Sequence, residues 1–395
     1  MIARRKLYRG NDLRRAQNIA ELRAMAAARV PNFCFEYLEG GADDELTLRR
    51  NRSSYDAVTL LPRTLVDVSV RDLGCELFGS RIEMPMVIAP TGFNGLLSHE
   101  GDLMLAEAAR EAGIPMCQSM VSTVELERLA ATGVRHWMQI YPFKDRDNIA
   151  KIVKRAERAG SEAIVLTTDV ALFGNREWDR RNYRAPMKLD AANLLHVAMS
   201  PRWVFDVLVP HGMPRFRNLG DFLPPGQDSA RNAATFLSKQ MDPSLNWGDV
   251  QWLRDLWPRK LIVKGILLPS DALRAREMGV DGIVVTNHGG RQLDGCPAPI
   301  EVLPQIREAV GSEMTVIVDS GLRRGSDFVK ARALGADAAM SGRATLYGLA
   351  AGGKPGVRRA LEILRSEIDR TLGLLGCPVL GEVGAELVCA PACCL

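Results

Sequence analysis

Two side chains in the stretch Asn287-His288-Gly289-Gly290-Arg291-Gln292-Leu293-Asp294 are well suited to chemistry. His288 can take up a proton near neutral pH. Arg291, three residues on, can grip a carboxylate through two parallel hydrogen bonds. The glycines between them let the backbone turn sharply and approach a ligand closely. Together the pair points to proton abstraction from a small carboxylic acid. The plainer alternative is a Gly-rich turn with a surface His and Arg. The stretch follows Gly282-Ile283-Val284-Val285, an apolar β-branched run that reads as a buried strand. Imidazole and guanidinium therefore stand at a strand's C-terminal lip.

Other strand-like runs end in polar groups too. Eight such runs are expected, over 85–89, 115–119, 136–141, 163–168, 261–264, 282–286, 315–319 and 338–341. In order, their ends carry Pro90, Thr91 and Gly92; Ser119; Gln139 and Tyr141; Thr167 and Asp169, with Arg176 beyond; Lys264; Thr286, His288 and Arg291; Asp319, Gly321 and Arg323; and Ser341, Gly342 and Arg343. So many polar ends on one rim would be costly without a polar ligand to satisfy them. The segments after strands seven and eight combine glycines, arginines and a helix start, which is the usual phosphate site of a barrel. The pattern says phosphate without saying which. Lys264 is open to a second enzymatic reading, a Schiff-base lysine of an aldolase or isomerase on a phosphate-binding barrel.

Helical patterns over 102–112, 147–159, 270–278 and 326–334 separate most of these runs and often end in Gly. Eight βα units read as an α/β fold, a (β/α)8 TIM barrel over about residues 85–350, with one domain over 1–395. A doubly wound sheet is the runner-up, but no GxGxxG follows the first strand. Ahead of the barrel lies an N-terminal helical extension. One helix is expected over 12–30. A second is opened by Pro31 and ended by Gly40-Gly41, and a third has Asp43, Asp44 and Glu45 in its first turn. A lead-in hairpin is expected near 73–82. After strand four comes an insertion, about 177–247, far longer than an ordinary βα loop.

Composition narrows the function classes. The chain has 395 residues, 47% of them hydrophobic, and a net charge of +4. No basic tract is dense enough to read nucleic acid. The eight cysteines form no CxxC pair, which fits free thiols in a reducing cytoplasm. The tail from Cys389 to Cys394 reads as a frayed end, not a metal site. No secretory h-region and no run of about 18 apolar residues is visible. Between Arg176 and Arg217 there are eight Lys or Arg against four Asp or Glu, interleaved with apolar clusters holding Trp203 and Phe205. Such a segment suits docking on an anionic membrane face; a solvated lid on the barrel or on a neighbouring subunit is the alternative.

Asn-His-Gly-Gly-Arg-Gln-Leu-Asp resembles the signature of the FMN-dependent α-hydroxy acid dehydrogenases and oxidases. Phe35-Glu-Tyr37-Leu-Glu-Gly-Gly-Ala-Asp-Asp-Glu45 resembles the family's N-terminal motif, and the likeness runs from about residue 31 to 378. The segment from Arg176 to Trp257 is most similar to mandelate dehydrogenases. The resemblance implies FMN, with Gly321, Arg323, Gly342 and Arg343 on its phosphate and Asp319 on its ribityl chain. It places Pro90, Thr91, Gly92, Ser119, Gln139, Thr167, Thr286 and Lys264 around the isoalloxazine. It makes His288 the base, Asp169 its partner, Arg176, Arg291 and Tyr37 the carboxylate clamp, and Tyr141 the donor to the α-oxygen. The implied reaction is oxidation of an (S)-2-hydroxy acid to the 2-keto acid, with mandelate or another aromatic acid ahead of lactate. Gly92 stands where oxidases usually have alanine. That implies poor reaction with O2, added room for a bulky acid, and electrons passed to a membrane quinone or other acceptor; an oxidase using O2 remains the alternative. A homotetramer, peripheral at the cytoplasmic face of the membrane or else cytoplasmic, is the implied assembly.

Overall fold

The computed structural model describes Tyr8 and residues 10–185, 188–209, 211–224, 226–227 and 229–389. The Cys-rich tail beyond Cys389 lies outside them. Strands β1 (Met86–Ile88), β2 (Met116–Ser119), β3 (His136–Ile140), β4 (Ala163–Thr167), β5 (Lys260–Ile266), β6 (Gly282–Val285), β7 (Thr315–Val318) and β8 (Ala338–Ser341) form a closed parallel barrel. Each pairs with the next and β8 pairs with β1. All eight lie within two residues of their expected bounds. Every residue of β3, β4 and β6 is buried, as parallel strands covered by helices on one side and filled within the barrel require. The chain is therefore a (β/α)8 TIM barrel, as expected.

The barrel interior is packed with Val87, Cys117, Trp137, Val165, Ile262, Val284, Ile317 and Met340. The expected hairpin, Cys75–Leu77 with Ser80–Ile82, plugs its N-terminal end. Phe78, at the hairpin turn, meets Trp137 edge-on with ring centroids 5.6 Å apart. The C-terminal mouth, by contrast, stays open.

Two N-terminal expectations need correction. Residues 12–30 are not one helix: Leu13–Arg15 is a single 3-10 turn, and helix α1 starts at Ile19 and runs to Arg29. Asn18 accepts the Glu21 amide at 2.9 Å and Glu21 accepts the Gln17 amide at 2.7 Å. Reciprocal side-chain bonds of this kind start a helix and bar its extension backwards. Pro31 does precede helix α2 (Asn32–Glu39). The acids 43–45, however, lie before helix α3 (Leu46–Ala57), not in its first turn. Asp43 and Glu45 take φ of 45° and 58°, a turn conformation that ends with Glu45 accepting the Gly41 amide at 2.8 Å.

The insertion folds into short pieces, among them Glu177–Arg181, Ala191–Ala198, Pro201–Trp203 and Ala230–Gln240. Trp203 is not a surface group as its cluster suggested. It is buried, its indole N–H donates to the Leu96 carbonyl at 2.7 Å, and its ring meets Phe33. It pins the insertion to the barrel, while Leu194, Leu195, Met199, Phe205 and Val209 stay exposed.

Candidate active site

The C-terminal mouth holds a half-open cavity, with about 950 Å³ of empty space when the solvent at its entrance is included. It gathers most of the predicted residues: Tyr37, Pro90, Thr91, Gly92, Tyr141, Arg176, Lys264, His288, Arg291, Asp319, Gly321, Arg323, Gly342 and Arg343. Ser119, Gln139, Thr167, Thr286 and Asp169 do not line it. They lie behind the lining and hold it. Gln139 accepts from the Ser119 hydroxyl at 3.0 Å and donates to Thr167 at 2.9 Å, tying β2, β3 and β4 together. Thr286 donates to Asp319 at 2.9 Å and accepts the His288 amide at 3.0 Å.

His288 sits at φ 58°, left-handed backbone uncommon for any residue but glycine. Surrounding structure must impose it. α3 does so from below: Asn51 and Asn287 exchange two amide hydrogen bonds at 2.8 and 2.7 Å, and the Asp294 carboxylate accepts the Leu46 and Thr47 amides. His288 Nδ1 is 2.9 Å from Asp169 Oδ1. That contact assigns the Nδ1 proton to the bond with Asp169 and leaves Nε2 as the free base. Gln292, which the motif alone did not single out, donates to the carbonyls of Asp169 and Leu172 and so fixes the loop bearing Asp169. Burial pushes the His288 pKa below its usual value against the opposing pull of Asp169. Burial would raise Asp169, but the charges of His288 and Lys264 prevail and hold it low. The pair thus rests as a neutral imidazole beside a carboxylate. Burial keeps Tyr141 protonated, its pKa pushed up to about 12.

The cavity is cationic. Among the described residues none of Arg176, Arg291, Arg323 and Arg343 has a carboxylate at ion-pair distance. Burial first, then Arg176 and Arg343, push the Arg291 guanidinium down to about 9; it stays charged at neutral pH and gains from any anion. Arg343 spends its hydrogen bonds on the carbonyls of Leu38, Gly40 and Gly289, so it offers a ligand mainly its charge.

The two helix starts near the predicted phosphate site differ. The amides of Arg323 and Arg324 already donate to Asp327, and the Gly325 amide to Glu367. The helix after β7 is therefore capped from within and is unavailable to an anion. The helix after β8 begins at Arg343 with no side-chain cap on Gly342 and no acid in its first turn. Its free amides, next to Gly321 and Arg323, fit a phosphate. Ser341 Oγ, buried and without a partner, adds a polar group for the same ligand. These features fit FMN, whose phosphate needs such amides and cations.

Gly92, the expected source of added room, lies against Val121. A Cβ there would come within 2.4 Å of Val121 Cγ2. Glycine makes space for Val121, which with Leu38, Leu97, Leu322, Met340 and Leu346 is among the apolar groups of the lining.

A sequence model of the FMN-dependent dehydrogenase family matches residues 26–390. (S)-Mandelate dehydrogenase of Pseudomonas putida is 46% identical over 371 residues, 93% of each chain. L-lactate oxidase of Nostoc sp. is 39% identical over 377 residues, 94% of this chain and 97% of that one. The crystal structure of the monotopic membrane protein (S)-mandelate dehydrogenase superimposes with a TM-score of 0.91 at 44% identity, covering 95% of this chain and 100% of the other. Barrel, uncapped phosphate cradle, buried His–Asp pair and these likenesses agree: the chain is a member of the FMN-dependent dehydrogenase family, an FMN enzyme that oxidises 2-hydroxy acids.

Proposed function

We propose that the chain is a membrane-peripheral dehydrogenase for (S)-mandelate or a similar aromatic 2-hydroxy acid, passing electrons to a membrane acceptor such as a quinone. The observation that carries the chemistry is the His288–Asp169 bond beside two unpaired arginines in one cavity. Gly321, Arg323, the Gly342–Arg343 amides and the Arg343 charge would hold the FMN phosphate, and Asp319 the ribityl chain. The loop Pro90-Thr91-Gly92 and Lys264 would border the ring, backed by Ser119, Gln139, Thr167 and Thr286. FMN supplies, when bound, a two-electron acceptor.

The chain's own groups do the rest. Arg291 and Arg176 hold the substrate carboxylate, and Tyr37, its ring under the Arg291 guanidinium at 5.5 Å, closes the clamp. His288 Nε2 takes the proton that leaves the substrate. Asp169 then faces an imidazolium and stabilises it, as a buried carboxylate does for a catalytic histidine. Tyr141, held protonated, donates to the α-oxygen. The apolar wall of Leu38, Leu97, Val121 and Leu346 receives an aromatic ring better than a methyl group. Addition of (S)-mandelate without air should bleach the FMN of the purified protein at least about tenfold faster than equal lactate. Equal or faster bleaching by lactate would move the substrate to small 2-hydroxy acids. Rapid reoxidation by air would favour the oxidase reading, to which the lactate oxidase likeness lends weight.

Membrane docking rests on the exposed face of the insertion. Leu194, Leu195, Met199, Phe205 and Val209 are exposed in it, and so are the basic Arg184, Lys188 and Arg202. Among the described residues no helix is long and apolar enough to cross a membrane, so attachment would be from one side, as the phrase monotopic says of the relative. Combined Leu194→Ser, Leu195→Ser and Phe205→Ser should abolish co-sedimentation with anionic vesicles while mandelate still reduces the FMN. Persistent co-sedimentation would place the contact elsewhere.

A further inference from the structure

Among the described residues Arg176 and Arg291 face the cavity without an ion-pair partner, yet the carboxylate of Asp179 stands near both. Asp179 lies on the short helix Glu177–Arg181, just past Arg176, and that helix packs on α2, which carries Tyr37. Asp179 Oδ1 is buried without a hydrogen-bond partner, and so is Arg176 Nε. The charge of Asp179 acts on Arg291, Tyr37, Tyr183 and Glu36. Burial raises its own pKa, while Arg291 and Arg176 pull the other way. A carboxylate oxygen desolvated beside two guanidinium groups, and bonded to neither, is a costly placement. Asp179 makes no side-chain cap and, among the described residues, no ion pair; its place in the first turn of Glu177–Arg181 suits the helix dipole but does not by itself call for a buried oxygen near two guanidinium groups.

We propose that Asp179 is a counter-charge for the Arg176–Arg291 pair, and that it sets how strongly the clamp prefers a carboxylate to an uncharged analogue. The proposal rests on those two arginines being the clamp. With no anion bound, Asp179 offsets part of their positive charge. A bound substrate adds a second negative charge to the same pocket and is held against its repulsion. The 2-keto acid product carries the same carboxylate, so the same repulsion hastens its departure. Binding that is equal for substrate and transition state adds nothing to turnover once the site is filled, so a clamp weakened in this way loses little catalysis. Asp179 is a specificity-determining residue and touches no reacting atom.

The test uses phenylacetate and phenylacetamide, which share a ring, lack the α-hydroxyl that would be oxidised, and differ in charge. Their Kd values are measured by calorimetry on the FMN-loaded protein, for the wild type and for Asp179→Asn, Asp179→Glu and Arg291→Lys. Asp179→Asn should bind phenylacetate about three- to tenfold more tightly, the scale of one charge removed at close range in a partly screened site, and bind phenylacetamide within about twofold of the wild type. Asp179→Glu should keep the wild-type ratio. Asp179→Ser serves the same comparison should the Asn variant not fold. Unchanged or weaker phenylacetate binding in the neutral variants, with the wild type still preferring the carboxylate, overturns the proposal. A wild type that does not distinguish the two ligands, with Arg291→Lys unchanged, instead overturns the clamp and the proposal with it.

Discussion

His288→Ala should retain FMN and reduce it with mandelate at least about two orders of magnitude more slowly than the wild type, the usual scale for a positioned acid–base group. The imidazole makes no structural bond beyond Asp169, and its backbone is held by Thr286 and by α3 through Asn287, so the cofactor site survives its removal. pH separates a base from a mere contact. The active form of His288 is neutral, and burial lowers its pKa. The wild-type reduction rate should therefore rise with pH along a limb below the ordinary histidine value of about 6.5 and be level through neutrality. Asp169 opposes that lowering, so Asp169→Asn should move the limb further down while also slowing the plateau, because an imidazolium would then be left without its counter-charge. Stopped-flow reduction from pH 5 upwards reads both; a rate near wild type in His288→Ala would take the base role from His288.

Gly321→Ala should leave the protein almost free of FMN and less stable to heat. Gly321 takes φ 87°, and a Cβ there would lie 2.1 Å from the Asn51 carbonyl oxygen. The backbone term alone costs about 1–2 kcal/mol, and the contact is with the main chain of α3, not with a side chain that could turn away. Either α3 or the loop must move, and the loop carries Asp319 and Arg323. Gly342→Ala is the matched comparison. Its φ is −96°, and the nearest atom to its Cβ would be Thr91 Cγ2 at 3.2 Å, a contact that a small shift relieves. Flavin absorbance per chain and the Tm of the two variants should differ sharply. Equal FMN content would show that the loop is more pliable than its packing suggests.

The barrel was legible in the sequence because its strands are buried on both faces and read as unbroken apolar runs, such as Ile283-Val284-Val285. The candidate site was legible because its groups stand at strand ends, where polarity is out of keeping with the core. What escaped depends on geometry that the order of residues does not carry. Asn18 and Glu21 split the first helix, a pairing whose spacing was open to reading as a capping box. Asp327 and Glu367 occupy the helix start after β7 and leave only the one after β8 open to an anion; the second of these acids lies 42 residues from its amide, beyond any local pattern. Trp203 looked like a surface anchor because composition cannot tell which way a ring faces. Gln292 stood inside the recognised motif, but only its bonds to the loop of Asp169 reveal its use.

The position of α3 under the loops after β6 and β7 has a consequence for how the molecule comes into being. Asn51 meets Asn287 across 236 residues, and Arg52 meets Asp327 across 275. The floor of the candidate cofactor pocket is thus sewn from segments far apart in the chain, contacts that cost more loop-closure entropy than local ones. During synthesis the segment holding α3 leaves the ribosome long before either loop exists. It must wait, unpaired, until six strands of the barrel have followed. The cradle under the His288 loop is for that reason completed only when these distant segments meet, and not with the closing of any single βα unit.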